Sequence, residues 1–148
     1  MSKPLLPTFS VNNDYSRPHL TPLRPLLMSA ELLFVYNADS GPVNGLLDSL
    51  HKVLAPSTYA CSLCAVTYGL TSMRPEWREF LRTLPVQSTF LHRDELAQQY
   101  PELLAHALPA VFQRPAPQEP WQVFLPAVEL RQLELPELMA AVRQRLPR

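Results

Sequence analysis

A mixed α/β domain, with a sheet of about four strands flanked by helices, is what this sequence predicts, on the strength of three features. A continuous apolar run at residues 31–38, ELLFVYNA, fits a central strand buried on both faces. A helical repeat of apolar positions follows at once, from Val43 to Leu54. Shorter apolar runs at residues 86–92, 108–112 and 121–130 then alternate with helical stretches, giving the order β-α-α-α-β-α-β-β-α.

Taken in order, residues 1–28 are Pro-rich and lack both helical and strand periodicity. Proline removes amide donors and disfavours helix on its N-terminal side, so an irregular or disordered arm is expected before one domain at residues 29–148. Met28 directly precedes the first strand and is a candidate, beside Met1, for the native start. After that strand, Asp39 or Ser40 is the expected N-cap of a helix with Pro42 in its first turn. Val43, Leu46, Leu47, Leu50 and Leu54 follow the i, i+3, i+4, i+7 rule and predict one buried face. Asn44, Asp48, His51 and Lys52 fall on the opposite stripe, where Asp48 and Lys52 form a plain i,i+4 pair.

Ser57 or Thr58 is the expected cap of a short helix over residues 59–68, with Gly69 as its C-terminal cap. Residues 71–84 predict a further helix, with Trp77, Phe80, Leu81 and Leu84 on its apolar side. A second strand at 86–92 precedes a helical stretch at 94–108 that Pro101 is expected to break. Residues 108–112 open a third strand and 121–130 a fourth, which Pro126 demotes to the sheet edge. A helix led by Pro136 closes the chain at residues 135–146.

With a parallel first half and a terminal hairpin plus helix, this order resembles a thioredoxin-like domain. Pro109 stands directly before the third strand, where that fold implies a cis-proline facing the active site. One departure is plain. In thioredoxin-like enzymes a Cys-x-x-Cys follows the first strand directly, whereas Asp39-Ser40-Gly41-Pro42 takes that place here. The cysteines come only after the first helix, which predicts an inserted helix that carries them.

Composition excludes several classes. Net charge is zero and pI about 6.9, so the chain carries no electrostatic footprint for nucleic acid or an acidic membrane surface. No run approaches a membrane span, and prolines interrupt any signal-peptide core, so a cytoplasmic protein is expected. Two cysteines at x2 spacing do not make a secreted disulfide scaffold; they fit a redox pair or half a metal site. Of thirteen basic residues only Lys3 and Lys52 are lysines, which leaves Lys52 alone in the domain.

Cys61 and Cys64 carry the chemistry. On a helix, positions i and i+3 share a face, so the two sulfurs can meet each other or a common ion. The expected first-turn position of Cys61 favours a thiolate, as redox cysteines require. The first reading is therefore a thiol redox protein without a cofactor. In it Cys61 attacks, Cys64 resolves, and His51, Lys52 or His92 tunes the thiolate; the partner is a protein or small thiol. The alternative is a non-catalytic zinc-type or interaction module with Cys61, Cys64, His51 and His92 as tetrahedral ligands. A third arrangement uses Asn37, Asp39 and Ser40 at the end of the first strand, where open α/β sheets place small-molecule ligands.

Several blocks together, Val35 to Gly41, His51-Lys52, Pro56 to Gly69, Trp77 and Phe90 to Glu95, resemble a family of small bacterial proteins of unknown function. The resemblance covers roughly residues 31–100. Some members carry the label GTPase, which the residues here do not support. A phosphate-cradling loop needs G-x-x-x-x-G-K-[ST]. Gly41-Pro42-Val43-Asn44-Gly45 has the wrong spacing, no lysine, and Leu46 after the second glycine.

Overall fold

A computed structural model describes residues 30–58, 60–70 and 72–147 of the chain. The expected arm, Tyr59 and Thr71 at the starts of two expected helices, and the Asp48 side chain of the i,i+4 pair lie outside the described residues.

Four strands form one mixed sheet in the order β2-β1-β3-β4, with β1 at Glu31–Val35, β2 at Gln87–Leu91, β3 at Ala110–Arg114 and β4 at Gln122–Leu125. β1 runs parallel to β2 and antiparallel to β3, and β4 closes the edge antiparallel to β3. Because side chains alternate across a strand, β1 feeds two cores. Leu32 and Phe34, continued by Tyr36, join Leu63, Trp77, Phe80, Leu138 and Val142 on one side. Leu33 and Val35 join Leu96, Leu103 and Phe112 on the other. The predicted two-sided burial of the first strand is therefore the organising feature of the fold. Phe34 stacks on Phe90 of β2 with centroids 4.9 Å apart and meets Trp77 edge-on at 5.6 Å.

The helices are α1 at Pro42–Leu54, α2 at Ser62–Thr67, α3 at Pro75–Thr83, α4 at Arg93–Gln99, α5 at Ala127–Leu130 and α6 at Leu135–Arg145. Pro101 does break the stretch after β2: α4 ends before it, and a 3-10 helix runs over Pro101–Ala105. The fourth strand is shorter than expected. Pro126 has no amide for the ladder and instead stands as N-cap of α5, so residues 127–130 are helical.

The largest correction concerns α1. The apolar positions predicted to be buried, Val43, Leu46, Leu47, Leu50 and Leu54, are exposed, from 49% at Leu50 to 79% at Leu54. Polar bonds hold this helix instead. Ser49 Oγ donates to the Leu70 carbonyl (2.7 Å) and Lys52 Nζ to those of Tyr68 (2.6 Å) and Cys64 (3.1 Å). Its cap also differs from expectation. Gly41 occupies the N-cap with φ 109°, a torsion that L side chains rarely adopt, because Asp39 and Ser40 are bonded elsewhere.

Candidate thiol site

The site stands at the C-terminal end of β1. There the chain leaves the sheet through Tyr36 and Asn37, and Asn37 Nδ2 donates to the Ala60 carbonyl, tying the strand end to the segment before Cys61 (3.4 Å). Cys61 and Cys64 are joined as a disulfide, with Cα atoms 5.3 Å apart. Cys61 lies before α2 rather than within its first turn. Its sulfur is the N-cap acceptor, taking the Cys64 amide at 3.3 Å. The cap expected at Ser57 or Thr58 is displaced because Pro56–Thr58 forms a separate 3-10 turn. At the other end Tyr68, not Gly69, is the C-cap, and the Gly69 amide donates to the Ser72 carbonyl (2.8 Å).

Beside the disulfide opens a groove of about 670 Å³. Tyr36 and Tyr68 line its sheet side, Leu46 and Leu50 of α1 face them, and Cys64, Lys52 and His92 reach it. The Tyr36 hydroxyl sits beside Thr67 and Tyr68, and burial holds its pKa far above the ordinary phenol value. The pKa of Lys52 is lowered, first by desolvation and then by the nearby Arg74. Its ammonium faces the carbonyls that end α2, a favourable place for a cation.

Parallel pairing brings a second set of residues together. Val35 opposes Leu91, so the segments that follow, Asn37 to Ser40 and His92 to Glu95, lie side by side. Arg93 donates to both carboxylate oxygens of Asp39 (3.0 and 2.8 Å). The Ser40 amide and hydroxyl both donate to Asp94, and these bonds hold the Asp94 carboxyl below its usual pKa. Glu95 accepts from the His92 amide (2.7 Å) and lies 2.9 Å from His92 Nδ1, which likewise lowers its pKa. Asp39, an expected cap of α1, instead joins Asp94 in clasping the two strand ends. The signal available in the sequence was two short polar segments, each directly following a predicted strand and together holding Asp39, Ser40, Arg93 and Asp94.

The predicted site residues therefore separate into groups. Cys64, Lys52 and His92 share the groove. Pro109, whose bond to Leu108 is cis, stands directly before β3 at the same end of the sheet, since Ala110 pairs with Val35. Asn37, Asp39 and Ser40 are engaged in internal bonds to Ala60, Arg93 and Asp94. The Cys61, Cys64, His51 and His92 zinc set is not assembled. His51 stands exposed on α1, His92 is held by Glu95, and among the described residues no three His, Cys, Asp or Glu side chains converge on a metal position. Leu46 and Leu50, which periodicity places in the core, instead wall the groove, a feature no local pattern marks. No helix among the described residues is long and apolar enough to cross a membrane. No protein-family model, curated protein or solved structure matches the chain.

Proposed function

We propose that this is a thiol redox protein of thioredoxin-like architecture, in which Cys61 and Cys64 cycle between dithiol and disulfide. The observation that carries the reading is the Cys61–Cys64 disulfide itself, at the N-terminus of a short helix near the C-terminal end of the central strand, with Cys64 on a groove. Strand order supports the architecture: a central β1, parallel to β2 and antiparallel to a terminal hairpin, is the topology expected of that fold. The resemblance of residues 31–100 to small bacterial proteins of unknown function adds no substrate. The partner is a cellular thiol or disulfide, on a protein or a small molecule.

The test is a redox titration of the native protein in buffers of reduced and oxidised glutathione, with free thiols counted after quenching. Both thiols are expected to disappear together in one reversible two-electron transition. A pair that stays unreactive in the folded protein, toward oxidant and alkylating reagent alike, would overturn the proposal.

A further inference from the structure

Granting that redox reading, we infer that Cys64, and not Cys61, is the sulfur that exchanges with the partner, while Cys61 is the internal resolving thiol. This reverses the order read from the sequence, and three observations carry it. Cys61 is 1% exposed and belongs to the core that contains Leu63 and Trp77. Cys64 is only half-buried and lines the groove. The Cys64 amide points at the Cys61 sulfur (3.3 Å), and Lys52 binds the carbonyl of Cys64 (3.1 Å).

Thiol–disulfide exchange depends on which sulfur can be reached and on which thiolate leaves better. Access selects Cys64. A donated amide stabilises negative charge on Cys61, so Cys61 is the better leaving group. In the oxidising direction, a partner thiolate attacks Cys64 Sγ, an S–S bond forms between them, and the Cys61 thiolate departs into its amide bond. In the reducing direction, the Cys64 thiolate attacks one sulfur of a partner disulfide and releases the other as thiolate. Cys61 then attacks Cys64 Sγ, restoring the internal disulfide and releasing the second partner thiolate. Two electrons pass from the protein dithiol to the partner disulfide, and the released thiolates take up the two protons.

The measurement is site-resolved alkylation of the reduced, folded full-length protein with iodoacetamide, read by peptide mass. Cys64 is expected to react at least about tenfold faster than Cys61, because the reagent must reach the sulfur and Cys61 is enclosed. In parallel, Cys61→Ser should capture one glutathione from oxidised glutathione, and Cys64→Ser should capture none over the same time. Faster or equal alkylation at Cys61, or glutathione capture by Cys64→Ser as fast as by Cys61→Ser, overturns this assignment and leaves the redox reading standing. Reaction at neither cysteine, with no glutathione captured, removes the redox reading and this assignment with it. The alkylation map uses the unaltered chain, so the outcome does not depend on either variant folding.

Discussion

β1 and α1 are neighbours in the chain, and both are rich in apolar residues, yet the protein treats them in opposite ways. Leu32 to Val35 are enclosed because helices lie on both faces of the sheet, so each side chain in the alternation meets a core. Val43 to Leu54 form an equally regular stripe that stays exposed, with Leu46 and Leu50 walling the open groove, and α1 is held by the Lys52 and Ser49 bonds to the α2–α3 connection. Apolar periodicity specifies which side chains share a face. Whether that face is covered depends on what packs over it, a property of other segments.

The comparison can be broken by experiment. Phe34→Ala removes a ring fully enclosed between Phe90 and Trp77. It should destabilise the domain by about 3–5 kcal/mol in urea unfolding, the range for large aromatic truncations in cores. Lys52→Met strips α1 of its bonds to the Cys64 and Tyr68 carbonyls. Solvent reaches that ammonium, so the expected loss is only about 1 kcal/mol, measured the same way. Leu50→Ser, on the exposed stripe, should shift stability by no more than about 0.5 kcal/mol. A loss there approaching that of Phe34→Ala would mean the stripe is covered in solution, and the contrast between the two elements would fail.

Much of the fold was legible because local chemistry decided it. The unbroken run at 31–35 could be satisfied only by burial on both faces, and Pro101 ends α4 because it cannot continue the amide ladder. The short α2 was visible but misplaced at its start, since a cysteine sulfur acting as N-cap is outside the usual Ser, Thr, Asp and Asn preference. The length of the fourth strand failed for a nearby reason. Pro126 follows a strand that does lie at the sheet edge, but it also starts α5 and so ends that strand early. The candidate site was half legible: spacing identified the cysteine pair, while its orientation rests on burial by Leu63 and Trp77, which no local pattern encodes. The Asp39–Arg93 and Ser40–Asp94 bonds each span 54 residues, so they emerge only once β1 and β2 are paired.

Gly41 is decided by handedness rather than by size. A Cβ built on it would meet nothing within 4 Å, yet its φ of 109° lies where an L-residue is strained. Alanine and leucine are therefore penalised there for the same reason, by torsion and not by collision. A D-alanine, for which the same φ lies in the ordinary extended range, would relieve that torsional strain at the entry to α1.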